Sequence, residues 1–230
     1  MKSSSAIILL SGGLDCTSAL AVALTKMDVK LALTFDYGQL AFNAENLAAK
    51  NICEFYGIEH KTLEIGWLKA LIQKDIPTLS IHDLENKELL KNTAQKVWVP
   101  NRNALFINIA ACFADTDEKL YDKIIIGANK EEAQTFSDNS EDFINSINKT
   151  LCYSTNSKVQ VYAPLIDKNK QEILKLAIEN NAPLDLIYSC YKGREFQCGE
   201  CESCIRLRNA LNSVDISTKK KLVLKYFKEE

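Results

Sequence analysis

The sequence predicts an α/β fold: an open, mostly parallel sheet with helices on both faces, and a metal-binding segment near the carboxyl end. Three observations lead there. Short apolar runs alternate with stretches of helical periodicity along most of the 230 residues. The first run, Ile7-Ile8-Leu9-Leu10, breaks into Ser11-Gly12-Gly13 and passes at once into a helical pattern. A later run, Lys123-Ile124-Ile125-Ile126-Gly127, is apolar on consecutive residues, as a strand covered on both faces must be. Ligands of such sheets collect at the carboxyl ends of the strands, so the strand–helix junctions are where function is sought.

In chain order, the helix after the glycine pair carries Leu20, Leu24 and Met27, with the small Ala19, Ala21 and Ala23 between them. Lys30 to Phe35 reads as a second strand, about Ala41 to Tyr56 as a helix, and His60 to Ile65 as a third strand. Lys74 to Lys96 is polar, charged and broken by Pro77; with little periodicity it reads as a mobile insertion or lid. Ala104 to Ala114 is a nearly all-apolar helix and therefore buried. Further helices are expected at Ser140–Leu151 and Lys170–Asn180, with a strand at Val159–Ala163 between them. The expected organisation is a core over 1–187 and a segment over 188–230 with a terminal helix, packed together as a single domain.

Composition narrows the class. With 47% hydrophobic and 25% charged residues the chain can bury a substantial core. A net charge of −2 argues against a surface given over to nucleic acid or membrane. No apolar run approaches transmembrane length, and the amino terminus lacks the pattern of a signal peptide, so a cytoplasmic protein is expected.

Four of the eight cysteines, Cys190, Cys198, Cys201 and Cys204, crowd together at the spacing C-x7-C-x2-C-x2-C. Four soft ligands with no histidine among them suit a closed tetrahedral Zn²⁺ site, structural because protein fills every position. An iron–sulfur cluster, disulfides or unligated thiols are the other readings, and a reducing compartment weighs against disulfides. Cys53, Cys112 and Cys152 read as small apolar fillers, whereas Cys16 lies in the glycine turn.

Several residues stand at the expected carboxyl edge. Glycines between strand and helix let backbone N–H groups point inward, a site for phosphate. Asp36 follows the second strand about 20 residues beyond the turn, where an acid often meets a ribose or base; a loop-capping aspartate is the plainer alternative. Val99-Pro100-Asn101 delivers Arg102 to the start of the buried helix, where a guanidinium can clamp phosphate or carboxylate, or else form a surface ion pair. Gly127-Ala128-Asn129 ends one strand, Pro164-Leu165 another, and Lys170 then opens a helix within reach of phosphate, unless it is only a solvated lysine.

Ser11-Gly12-Gly13-Leu14-Asp15-Cys16-Thr17 resembles the pyrophosphate loop of the ATP-pyrophosphatase superfamily, SGGxDS, with Cys16 in place of the final serine. No Gly-Lys-Ser/Thr follows, so it is not a Walker loop. Adding Phe35-Asp36-Tyr37-Gly38-Gln39, Val99–Asn103, Gly127–Phe143, Pro164–Ile173 and the cysteine cluster through Arg206, the chain resembles the QueC family of 7-cyano-7-deazaguanine synthases along nearly its whole length. The resemblance implies an adenine-nucleotide α-hydrolase-like, Rossmann-like fold. It implies a ligase that converts 7-carboxy-7-deazaguanine and ammonia to the nitrile through adenylated acid and amide, on the route to queuosine or archaeosine. ATP would lie along Leu10, Ser11, Gly12, Gly13, Leu14, Asp15, Cys16, Thr17, Ser18, Ala19 and Leu20, with Asp36 seating the nucleotide. Asp15, Arg102 and Lys170 would be catalytic, Asp15 orienting Mg²⁺. Arg102, Asn129 and Glu132 would meet the substrate. A homodimer holding structural zinc is implied.

One block departs from the family pattern. Many members carry Asp-Tyr/Phe-Ser-Gly-Tyr-Pro-Asp-Cys-Arg where this chain has Glu132 to Ser140. Glu132 and Asp138 keep two acids and the Cys-Arg pair is lost, which makes Glu132 the candidate for the guanine-like edge, against an exposed acidic loop. Three competing functions remain. They are a sibling enzyme that thiolates tRNA or amidates another acid, a zinc-dependent nucleic-acid regulator using Arg206, Arg208 and Lys219–Lys221, and a purely structural zinc protein.

Overall fold

The computed structural model describes residues 4–72, 75–116 and 121–228. Its centre is a five-stranded sheet in the order β3-β2-β1-β4-β5, built from β1 (Ser5–Leu9), β2 (Asp28–Asp36), β3 (Glu59–Glu64), β4 (Lys123–Ile125) and β5 (Gln160–Tyr162). All four pairings are parallel. Side chains alternate between faces, which splits the core in two. Ala6, Ile8, Ala32 and Ile125 face one layer, containing α1 (Leu14–Leu24), α2 (Phe42–Tyr56), α7 (Lys170–Glu179), α8 (Glu202–Leu211) and α9 (Ile216–Phe227). Ile7, Leu31, Leu33, Phe35 and Ile124 face the other, made by α4 (Arg102–Thr116) and α6 (Glu141–Ser154).

The strand order reverses between β1 and β4, where a doubly wound sheet opens its crevice. Two glycines close the packing there. Gly12 has φ +78°, and a Cβ on it would stand 2.7 Å from Ala48 Cβ and 2.8 Å from Ala49 N of α2. A Cβ on Gly127 would stand 2.8 Å from Cys16 N, so the first turn of α1 rests directly on the chain leaving β4.

Strands and helices fall where the periodicity puts them, with ends displaced by a few residues. The segment expected as an aperiodic insertion is different. Its first residue, Lys74, lies outside the described residues, but the rest carries a 3₁₀ turn at Ile81–Glu85 and α3 (Lys87–Val97), N-capped by Asn86. Leu79 and Leu90 pack with Ile205 of α8, and Leu79 N donates to Glu200 O at 2.7 Å. The helix has a sparse apolar stripe among many charges, which hides its period until a partner surface is present. A short helix, α5 (Lys130–Ala133), also lies where no element was expected. No helix among the described residues is long and apolar enough to cross a membrane.

Residues after 188 share the first core layer. Leu207, Ala210 and Leu211 of α8 and Leu222, Tyr226 and Phe227 of α9 pack with Leu20, Ala23, Leu174 and Ala177.

Candidate active site at the carboxyl edge of the sheet

A cavity of about 330 Å³ opens at the carboxyl ends of β1, β2 and β4. One end is charged. Asp15 enters from the first turn of α1, Glu132 from α5, and Lys170 from the first residue of α7. Lys170 Nζ donates to Asp15 Oδ2 and, at 3.2 Å, to Glu132 Oε1. Its side chain is only 9% exposed, so the ammonium depends on both carboxylates. Burial alone would favour the neutral amine, but Asp15 and Glu132 hold the Lys170 pKa above its usual value. Burial pushes Asp15 up to about 6 against the Lys170 charge, and Glu132 adds to the rise. Burial works on Glu132 in the same direction, yet Lys170 keeps that carboxyl below its ordinary value. Asp15 Oδ1 is buried and has no hydrogen-bond partner among the described residues.

The other end is aromatic. Phe35 and Phe106 stack at 4.1 Å with 12° between planes, and Tyr37 tilts against Phe106 at 5.5 Å. Trp98 and Phe136 stack across from each other at 5.8 Å. Arg102 stands at this wall: Nη1 donates to Tyr37 Oη at 3.4 Å and Nε to Asn103 Oδ1 at 3.3 Å. Burial opposes its charge, but Tyr37 and Asp138 favour the guanidinium and raise its pKa further. Asp138 also lines the cavity, its carboxyl raised by burial and drawn back by Arg102.

Beside the glycine turn lie the four clustered cysteines. The sulfurs of Cys190, Cys198, Cys201 and Cys204 lie within 4.8 Å of one another. Backbone amides of Lys192 and Cys198 donate to Cys190 Sγ at 3.3 and 3.4 Å, and those of Glu200 and Cys201 to Cys198 Sγ at 3.5 and 3.3 Å. Such donors stabilise thiolate, the form that binds metal, and four converging sulfurs fit one tetrahedral ion.

The model of the family described as queuosine biosynthesis protein QueC matches residues 5–215. The chain belongs to the QueC family. Among curated relatives, the 7-cyano-7-deazaguanine synthase of Methanosarcina barkeri is 42% identical over 221 residues, covering 92% of this chain and 95% of its own. The protein of the same name from Carboxydothermus hydrogenoformans is 47% identical over 210 residues, covering 89% and 97%.

Of the residues that likeness to the QueC family assigns to ATP, Leu10, Ser11, Gly13, Leu14, Asp15 and Cys16 line the cavity, and Gly12 shapes the turn beneath it. Thr17, Ser18, Ala19 and Leu20 do not line it. All four are wholly buried, because beyond its first turn α1 runs back along the sheet; Ser18 Oγ donates to Leu14 O. Asp36 is also absent from the lining: Oδ1 accepts from Gly38 N at 3.0 Å, the capping alternative. Asn129 is buried as the N-cap of α5, Oδ1 accepting from the amides of Glu131 and Glu132, so it positions Glu132 from beneath. Glu132 lines the cavity but is engaged with Lys170 rather than held out for a base edge.

Sequence reasoning missed the aromatic wall and the cavity residues Tyr188, Ser189 and Tyr191. The Tyr and Ser residues immediately flanking the first clustered cysteine were the available signal.

Proposed function

We propose that this chain performs the reaction for which its curated relatives are named: ATP-dependent conversion of 7-carboxy-7-deazaguanine and ammonia to 7-cyano-7-deazaguanine. The observation that carries this reading is one cavity with a glycine turn and a buried Lys170–Asp15–Glu132 cluster at one end and stacked aromatics with Arg102 at the other. An anion that is transferred and a flat ring that is held need those two surfaces.

The chemistry follows from the electronics of a carboxylate, which repels nucleophiles and cannot expel oxide. Its oxygen attacks the α-phosphorus of ATP, and pyrophosphate departs. Ammonia then displaces AMP from the acyl adenylate, leaving the amide and a proton. In a second round the amide oxygen attacks the α-phosphorus of another ATP and a second pyrophosphate departs; loss of AMP and the N–H protons completes the carbon–nitrogen triple bond. Acid and amide present the same ring and the same oxygen position, so one site serves both rounds.

The amides of the glycine turn and the Lys170 ammonium would receive the pyrophosphate, and Arg102 the α-phosphate or substrate carboxylate. The wall of Phe35, Tyr37 and Phe106 would stack on the ring, with Asp138 accepting from its N–H edge. Mg²⁺, when bound, would offset the charge of the leaving pyrophosphate, and the unpartnered Asp15 Oδ1 fits it as a ligand. The four cysteines fit a structural Zn²⁺. The chain would act as a cytoplasmic homodimer, with exposed Leu47 and Phe55 of α2 as apolar surface for a second copy.

Mass spectrometry of the metal-loaded protein supplied with the acid, Mg²⁺-ATP and ammonium tests the proposal. A nitrile formed with AMP and pyrophosphate is expected. Absence of acid-dependent AMP would overturn it.

A further inference from the structure

The loop that likeness to the QueC family assigns to pyrophosphate lacks one hydroxyl, since Cys16 stands where the SGGxDS pattern has serine. The thiol's hydrogen bonding stays within the loop. Cys16 Sγ donates back to Gly13 O at 3.3 Å and lies 3.3 Å from Ser11 Oγ, and the residue is 7% exposed. A hydroxyl arrives at the same turn from far along the chain. Ser189, next to the first clustered cysteine, accepts from Leu14 N at 3.1 Å through Oγ. A Cβ on Gly13 would lie 3.5 Å from Ser11 Oγ and 3.6 Å from Ser189 Oγ, so both hydroxyls stand close to Gly13, accepting from the successive amides of Gly13 and Leu14.

Ser189 is held there from both sides. Tyr188 N donates to Gly12 O at 2.8 Å, and Ser189 N donates to Oε1 of the buried Gln197 at 3.1 Å, just before Cys198. Its lone pairs serve Leu14, but its own O–H has no acceptor among the described residues, and the side chain lines the cavity. A donor beside the positive end of α1, with its acceptor lacking, is placed to meet a negative oxygen.

We propose that Ser189 is a pyrophosphate-binding residue of this site, its hydroxyl supplying the donor that Cys16 does not. The cysteine-rich segment thereby contributes a ligand to the reaction as well as stability. This inference rests on the glycine turn being the pyrophosphate site.

Calorimetric titration of the intact, metal-loaded protein with Mg²⁺-pyrophosphate, and separately with Mg²⁺-ATP, reads it directly. Ser189→Ala is expected to weaken both about tenfold, the effect of one hydrogen bond to a charged oxygen. Ser189→Thr, which keeps the hydroxyl, should stay within about threefold of the parent. In steady state Ser189→Ala should raise KM for ATP and relieve product inhibition by pyrophosphate, leaving KM for the acid substrate unchanged. Equal pyrophosphate affinity in the parent and Ser189→Ala would overturn the proposal. So would loss of affinity in both variants together with loss of bound metal, which marks a structural role. A parent that binds pyrophosphate through Ser189 yet makes no nitrile leaves this inference standing and sinks the substrate assignment. A parent that binds neither probe sinks both.

Discussion

The two ends of the cavity are built on opposite principles. At the charged end, Lys170, Asp15 and Glu132 come from three distant segments and each is held by the others. At the aromatic wall, Phe35 and Phe106 touch face to face and Tyr37 tilts against Phe106, with Arg102 the one cation at their edge among the described residues. Charge in a buried place is all-or-none, because removing one partner strands the rest without solvent. Stacking is graded, since each ring contributes in proportion to area and geometry. The first end should therefore fail abruptly when altered and the second by degrees.

The harshest way to break the charged end is from behind. Chelating the metal expected at the four cysteines releases the segment that holds Gly12 and Leu14 through Tyr188 and Ser189. Turnover should vanish and the unfolding midpoint fall by roughly 10 °C or more, read by calorimetry alongside metal content. Next in size, Lys170→Met should cut kcat at least ~100-fold and cost about 3 kcal/mol of stability, as it leaves Asp15 and Glu132 facing each other unpaired. A variant with near-parental turnover would refute the buried-triad account.

Arg102→Lys tests the join between the two ends. It should raise KM for the acid roughly 10-fold, because an ammonium cannot reproduce the planar fork at the Tyr37 edge.

Protonation gives a tunable version of the same test. Because burial lifts Asp15 to about 6, kcat/KM for ATP should fall on the acid side of pH 6, about tenfold per unit. An acid limb near 4 instead would contradict the burial. For stability the sign is the reverse: the folded chain holds the Asp15 proton more tightly than the unfolded one. That contribution is complete below the ordinary value of 3.8 and is lost as the pH rises through about 6. Denaturation of Asp15→Asn at several pH values should show this slope removed.

The smallest effects belong to the wall. Phe106→Leu should raise KM for the ring-bearing acid several-fold and leave KM for ATP unchanged. Tyr37→Phe, which removes only the acceptor for Arg102 Nη1 at 3.4 Å, should change either constant less than about threefold.

Much of the sheet and half of the site could be read without coordinates. The apolar runs at Ile7–Leu10 and Ile124–Ile126 mark central strands because burial on both faces leaves no room for polar residues. Asp15, from the SGGxDS resemblance, and Lys170, from its place at a helix start, were expected at the sheet's carboxyl edge, and both line the cavity there. The contact of Asp36 with Gly38 N was not, since which partner a carboxylate meets turns on a rotamer rather than on position. α3 stayed hidden because its apolar stripe is sparse, and Leu90 acquires meaning only against Leu79 and Ile205.

By itself, the sequence determined what is encoded within a few adjacent residues: the glycine turn, the cysteine spacing, the alternation of strand and helix, and the family they mark. Tertiary structure alone decided which distant groups meet. It brought Glu132, at the cavity wall, to Lys170, built a wall from aromatics spread between Phe35 and Phe136, and set the Ser189 hydroxyl on the first amide of a helix 175 residues upstream. Local motifs are fixed by backbone geometry over one turn, whereas burial, the charge it tolerates and the partners it demands are properties of the packed chain.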